Sequence, residues 1–295
     1  MNNPTPYFET KLGKLYKIDC LEYMSSLPSG SIDLIVADPP YGIDKESWDS
    51  FKSHDEFLKW TKEWIKGASR LLTNIGTMYV FGFPENLADV KYLTNGYFED
   101  CKWLVWYYRN KPSMKKDWGR SHESILHLRK SKKQKVFNID DIRSPYQSHT
   151  LRYPDHPQAK TSMIGNGKDY TWKPNEKGAK PRDVIEIPAI NNGMKEKTAH
   201  PTQKPEELIK KLILVSSNKG DLILDPFGGS GTTYKVSEEL GRRWVGCETH
   251  EPYCQITRDR LDSLTKQAKQ LTMKDTFAEE ELTIDFPTPT STSQL

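Results

Sequence analysis

Cysteine is scarce in this 295-residue chain, and the four present stand apart: Cys20, Cys101, Cys247 and Cys254 form no Cys-x-x-Cys pair and no Cys/His spacing. That arrangement supports neither a disulfide framework nor a zinc site. Long apolar runs are also missing, and none approaches the roughly 20 residues a membrane helix requires. Met1-Asn2-Asn3-Pro4 has neither the basic nor the apolar part of a secretory leader. These absences predict reduced thiols and a cytoplasmic protein without membrane contact. There is no internal repeat. No Gly-x-Gly-x-x-Gly and no Gly-Lys-Ser/Thr occurs, which disfavours dinucleotides and nucleoside triphosphates as ligands.

Net charge is small as well, +3 from 43 Lys and Arg against 40 Asp and Glu. Its distribution is uneven. Arg109 to Arg152 holds twelve cationic and four acidic side chains, so about +8 lies in one stretch. Trp118, Phe137, Tyr146 and Tyr153 are interleaved with it, and Trp106, Tyr107 and Tyr108 precede it. A charge run alone describes a solvated face. Cations for phosphates together with flat rings for stacking suit a nucleic acid.

Strand and helix patterns alternate along most of the chain. Strands are expected at Leu15 to Asp19, Ile32 to Ala37, Gly76 to Phe81, Lys102 to Tyr108, Ser124 to Leu128, Asp221 to Leu224 and Trp244 to Cys247. Helices are expected at Leu21 to Leu27, His54 to Leu72, Pro84 to Leu93, Glu206 to Val215, Thr232 to Leu240 and Pro252 to Leu264. Such alternation predicts an α/β fold with a parallel or mixed sheet covered on both faces. The pattern lapses from Lys130 to Ala199, a stretch too long to be an idle loop. It lapses again beyond Thr265, where a polar tail reads as disordered.

Two strand ends carry the chemistry. Asp38-Pro39-Pro40-Tyr41 follows the apolar run Ile32 to Ala37. An aromatic amine is a poor nucleophile because its lone pair is delocalised into the ring. Two acceptors on its N–H bonds, the Asp38 carboxylate and the Pro39 carbonyl, would draw the nitrogen toward tetrahedral geometry. Consecutive prolines supply no competing amide donor and stiffen the turn, and Tyr41 offers a ring for stacking. The second strand end is Asp225-Pro226-Phe227-Gly228-Gly229-Ser230-Gly231-Thr232. Its glycines allow close backbone approach, Ser230, Thr232 and Thr233 are placed to cap the next helix, and that helix start suits a carboxylate. Glu248 closes the following strand, where an acidic side chain can accept from ribose hydroxyls. Thr202 and Lys204, in His200-Pro201-Thr202-Gln203-Lys204-Pro205, are within expected reach of the same carboxylate. Together these segments predict methylation of an exocyclic amino group with S-adenosyl-L-methionine as donor.

The order of the pieces resembles the β group of DNA amino methyltransferases: base motif first, a basic variable region next, His200 to Pro205, and the cofactor turn last. The resemblance spans roughly Leu15 to Leu264. It implies a doubly wound, mostly parallel seven-stranded sheet of the S-adenosylmethionine-dependent methyltransferase type. It also implies a catalytic domain from 1–129 and 200–264, a target-recognition region at 130–199, and the polar tail at 265–295. Asp38, Pro39, Pro40 and Tyr41 would be catalytic. Asp19, Asp38, Thr202, Lys204, Asp225, Phe227, Gly228, Gly229, Ser230, Gly231, Thr232 and Glu248 would bind the cofactor, with Asp19 near its adenine. Trp106 to Arg120 resembles the segment flanking the base pocket. Polar positions of the variable region such as Gln158 and Asn166 are expected to read sequence.

The resemblance makes double-stranded DNA the substrate, reached by base flipping, and allows a separate restriction endonuclease as partner, with the chain itself a monomer or homodimer. Asp in the first motif position is commoner among adenine-N6 enzymes, and cytosine-N4 is the alternative. Methylation at carbon 5 of cytosine would need a Pro-Cys nucleophile, which is absent. RNA and protein-glutamine methyltransferases remain remote readings, since they commonly start the motif with Asn and place the cofactor turn before it. No metal is called for.

Overall fold

The computed structural model of the chain describes residues 5–111, 116, 118–152, 157–158, 170–171 and 173–281. In chain order the elements are β1 (Phe8–Glu9), β2 (Gly13–Lys17), α1 (Cys20–Ser26), β3 (Ile32–Ala37), α2 (His54–Leu71), β4 (Leu72–Gly82) and α3 (Pro84–Leu93). Next come β5 (Asp100–Tyr107), β6 (His122–Arg129), α4 (Ser148–Leu151), β7 (Pro157–Gln158), β8 (Tyr170–Thr171) and β9 (Val184–Glu186). The last are α5 (Glu206–Ser216), β10 (Leu222–Asp225), α6 (Thr232–Glu239), β11 (Arg243–Glu248) and α7 (Glu251–Glu281).

Among the described residues the main sheet has nine strands, ordered β1-β2-β11-β10-β3-β4-β6-β5-β9. The expected seven strands are its centre, β2 to β5. A two-residue strand, β1, and a three-residue strand, β9, extend the two edges. Strands so short carry no readable alternation, which is why the sequence pattern yields seven. From β2 to β4 the strands run parallel, while β6 is antiparallel to both β4 and β5.

Side-chain alternation in the central strands fills two cores. Ile35 and Ala37 of β3, with Met78 and Val80 of β4, pack against Met24 of α1, Trp64 and Ile65 of α2, and Val90 of α3. Leu34, Val36, Tyr79 and Phe81 point to the other face, against Leu208, Leu212 and Ile213 of α5 and Val236 of α6. A strand buried on both sides must be apolar throughout, as Ile32 to Ala37 nearly is. The helix α2 is closed at its start by the Ser53 hydroxyl, which accepts from the Glu56 amide at 3.2 Å.

The arrangement that matters for function is the pairing of β3 with β10, side by side and parallel. After β3 the chain goes through α2 to β4 on one side. After β10 it goes through α6 to β11 on the other. The connections diverge, so a crevice opens between the carboxyl ends of these two strands. Asp38 and Asp225 stand at its two lips.

Two expectations need correction. Residues 130–199 are not wholly outside the sheet: β9 pairs in parallel with β5, and Ile187 and Ala189 are buried in the second core. The Trp106 indole donates to the Ile187 carbonyl at 2.8 Å, fixing that edge. Beyond Thr265 the chain does not lose helix at once; α7 continues to Glu281. No Gly or Pro interrupts residues 266–281, and Lys, Gln, Ala, Leu, Met and Glu there favour helix. Of the residues expected to read sequence, Gln158 lies in β7, while Asn166 and the aromatic Tyr153 fall outside the described residues.

Candidate functional site

The turn after β3 is held more firmly than two prolines alone would hold it. Asp49, almost fully buried, accepts from four backbone amides: Tyr41 at 2.6 Å and Gly42 at 2.8 Å on one oxygen, Ile43 and Lys45 at 3.2 Å on the other. The Asn86 amide donates to the Tyr41 carbonyl. The loop therefore wraps a carboxylate, and this tolerates the left-handed backbone of Asp44 at φ 54°. Nothing in the sequence marks Asp49 for this work, since its partners are main-chain groups.

At the floor, both oxygens of Asp38 are engaged. Oδ2 accepts from Lys204 Nζ at 2.6 Å and Oδ1 accepts from the Tyr41 hydroxyl at 2.8 Å. The same hydroxyl reaches Glu123 Oε2 at 3.2 Å, and Lys204 Nζ lies 3.5 Å from that oxygen. Lys204, read from sequence as a partner for the cofactor carboxylate, thus has its ammonium on Asp38 instead, above the rings of Tyr41 and Phe81. Burial opposes that charge, but Asp38 and Glu123 outweigh it and hold the Lys204 pKa above the ordinary lysine value. The Tyr41 ring meets Phe83 edge-on at 5.1 Å, and the Arg120 guanidinium lies 3.9 Å from the Phe83 ring.

The second lip is the turn after β10. Asp225 is buried, and its Oδ1 accepts from the Phe227 amide at 2.9 Å. Burial pushes its carboxyl up to about 8, against the pull of the Thr233 hydroxyl and the Phe227 amide. Gly229 donates to Glu248 Oε2 at 2.8 Å, and Gly228 donates to the Cys247 carbonyl at 2.9 Å. The expected side-chain caps are not used. Gly231, at φ 71°, is the N-cap of α6 and no side chain caps it. Ser230 and Thr232 instead pair their hydroxyls at 3.1 Å, and Thr232 donates to the Lys204 carbonyl at 3.2 Å. The glycine turn brings the backbone round so tightly that these hydroxyls face the α5 entrance rather than the helix amides. Arg260 of α7 braces the turn, donating to the Ser230 carbonyl and to Glu206, both at 2.6 Å.

Glu248 serves the Gly229 amide on one oxygen and the His250 amide on the other, the latter at 2.7 Å. Asp19 is the N-cap of α1, accepting from Leu21 and Glu22. Thr202 donates its amide to His200 Nδ1 at 3.3 Å. The His200 ring packs on Tyr253, and burial, aided by nearby cations such as Lys204, pushes its pKa down to about 3.

One cavity of about 650 Å³ joins the two lips. Asp19, Asp38, Pro39, Pro40, Tyr41, Thr202, Lys204, Asp225, Phe227, Gly228, Gly229, Ser230, Thr232 and Glu248 all line it. Of the residues singled out from sequence, Gly231 is not on that wall. Its missing side chain makes room for Thr257 of α7, which an added Cβ would approach to 2.4 Å. Glu123 and Trp48 are wall residues that the sequence pattern did not single out. The one acidic residue of β6, three positions before the buried Leu126, was the available signal for Glu123.

Compared with known proteins, residues 32–259 match the DNA methylase family. The type II methyltransferase M1.MboII of Moraxella bovis is 36% identical over 82% of this chain and 94% of its own length. The DNA adenine methyltransferase YhdJ of Escherichia coli K12 is 34% identical over 83% of this chain and 81% of its own. Among solved structures, the cytosine-N4-specific PvuII DNA methyltransferase superposes with a TM-score of 0.65 at 19% identity, covering 87% of this chain and 89% of that one. The M1.HpyAVI–SAM complex superposes at 0.58 and 24% identity, covering 85% and 99%. The chain belongs to the DNA methylase family, as an amino-group DNA methyltransferase of the N6/N4 kind.

Proposed function

We propose that this chain transfers a methyl group from S-adenosyl-L-methionine to N6 of adenine at a specific DNA site, acting in the cytoplasm on a flipped-out base. The observation that carries this reading is that one cavity holds both the Asp38-Pro39-Pro40-Tyr41 segment and the Asp225 to Thr232 turn. The donor set suits the cofactor: carboxylates at Asp19 and Glu248 for hydroxyl and amino groups, the Phe227 ring for an adenine face, and a helix start without a side-chain cap for a carboxylate. Bound there, the cofactor supplies a methyl group on a positively charged sulfur.

The protein's part is orientation and charge. Asp38 and the Pro39 carbonyl accept from the target amine, and Tyr41, Phe83 and the Asp49-bound loop fix where that amine sits. Holding nucleophile and methyl carbon in line within one cavity is worth more than any single contact. Flipping the base costs a few kcal/mol, of which stacking in the pocket returns roughly 1–3 kcal/mol. Adenine is favoured by Asp38 at the first motif position and by the likeness to the adenine methyltransferase. The likeness in fold to a cytosine-N4 enzyme keeps cytosine as the second reading.

The test is methyl transfer from labelled cofactor to DNA, RNA and protein in parallel, with single-molecule sequencing of DNA from a host expressing the chain. Labelled DNA carrying N6-methyladenine at one sequence is the expected result. N4-methylcytosine would move the assignment to the second reading, and label in RNA or protein alone would overturn it.

Glu248→Ala should weaken cofactor binding by roughly 1–3 kcal/mol, because the hydroxyls it would accept from and the Gly229 and His250 amides all lose an acceptor. Calorimetric titration with wild-type affinity would remove Glu248 from the site. Residues 130–183 supply sequence recognition in this reading, the part after them being needed at the sheet edge. Grafting that stretch from a relative of different specificity should transfer the methylated site while leaving cofactor affinity unchanged. A graft that still methylates the original sequence would place recognition elsewhere. A restriction endonuclease acting separately on the same site completes the proposal.

A further inference from the structure

Two carboxylates and one ammonium meet at the cavity floor, so their charges do not cancel. Lys204 Nζ is 2.6 Å from Asp38 and 3.5 Å from Glu123, and the Tyr41 hydroxyl lies between the same two carboxylates at 2.8 and 3.2 Å. Glu123 comes from β6, is 7% exposed, and lines the cavity. Lys204 is equally buried, so its charge cannot be dissipated by water.

The role of Glu123 rests on amino-group methylation, in which the target nitrogen gains positive charge as its bond to the methyl carbon forms. An acceptor stabilises that charge only if its own negative charge is not already cancelled. Asp38 and Lys204 by themselves form a neutral pair, and the ammonium would repel the developing cation nearly as strongly as Asp38 attracts it. Adding Glu123 leaves the group of three at a net charge of −1. With Glu123 and Lys204 both buried, such a difference counts for more than it would in open water.

We propose that Glu123 is a positioning residue for methyl transfer: by sharing with Asp38 both Lys204 and the single proton of the Tyr41 hydroxyl, it keeps a net negative charge beside the attacked amine. As the nitrogen–carbon bond forms, the carbon–sulfur bond breaks with its electron pair on sulfur. The surplus proton of the amine passes to the Asp38 carboxylate, from which it can leave to solvent.

A double-mutant cycle in the full-length protein tests this, reading single-turnover methylation of DNA at saturating cofactor and DNA. Glu123→Gln should slow the step about 100-fold, with cofactor and DNA affinities within a few fold, and Glu123→Asp should recover much of the rate. In a Lys204→Met background, where Asp38 is no longer neutralised, Glu123→Gln should cost far less. A purely structural Glu123 would show the same cost in both backgrounds, and that result overturns the inference. So does Glu123→Gln at the wild-type rate while Asp38→Ala is inactive, an outcome that leaves the proposed function standing. Activity in Asp38→Ala would instead sink the reading of the base site itself. Should Glu123→Gln alone fail to bind cofactor, the comparison within the Lys204→Met background decides: a large loss there overturns the inference, and a small one supports it.

Discussion

Replacing Asp38 by alanine is expected to reduce methyl transfer to DNA by at least about 1000-fold while leaving cofactor affinity within a few fold. The carboxylate stands on the β3 lip, where the proposed reading puts the base, whereas the groups proposed for the cofactor belong to the β2, β10 and β11 ends. Stability should fall too, by roughly 1–3 kcal/mol, because Lys204 loses its nearer carboxylate and keeps the more distant Glu123. Asp38→Asn retains the shape and one acceptor but not the charge, so its activity should lie between alanine and wild type. Calorimetry and thermal melting on the purified variants separate these effects. Loss of cofactor binding in a well-folded Asp38→Ala protein would contradict the placement.

Gly231→Val is expected to abolish cofactor binding and lower the melting temperature, and for a reason unlike the usual one for glycine turns. The residue is not on the cavity wall. It sits at φ 71°, which costs a side chain roughly 1–2 kcal/mol, and an added Cβ would lie 2.4 Å from Thr257 Oγ1 and 2.7 Å from its Cγ2. The turn must then move away from α7, breaking the Arg260 bonds to Ser230 and Thr232 and shifting the start of α6. Gly228 behaves alike, since its Cβ would meet the Tyr234 hydroxyl at 2.7 Å and the Cys247 carbonyl at 3.1 Å. Gly220→Ala is the control: φ is 84° but nothing lies within 4 Å, so only backbone strain is expected and cofactor affinity should hold. Wild-type affinity in Gly231→Val would mean that the turn tolerates displacement and does not position the ligand.

Elements with strong local signals, and the identity of the two lips, were legible in the order of residues. A nearly all-apolar run such as Ile32 to Ala37 has few alternatives to a buried strand, and a strand followed by Asp-Pro-Pro-Tyr or by a glycine-rich turn puts each motif at a strand end, where both line one cavity. Helix periodicity in α2 and α5 was legible for the same reason: it depends only on neighbours within a few residues. The short edge strands β1 and β9 left no such trace, because two or three residues cannot establish a period. Which side chains meet is a matter of how the sheet packs. The adjacency of β3 and β10 places Lys204 on Asp38, and the antiparallel pairing of β6 with β4 carries Glu123 to the same floor. Burial, not residue type, raises the Asp225 carboxyl to about 8 and keeps His200 neutral. Local chemistry is written in consecutive residues, but a network of charges depends on strand order and on distance from water. Those are properties of the packed sheet, so the residues that hold Asp38 became visible only with it.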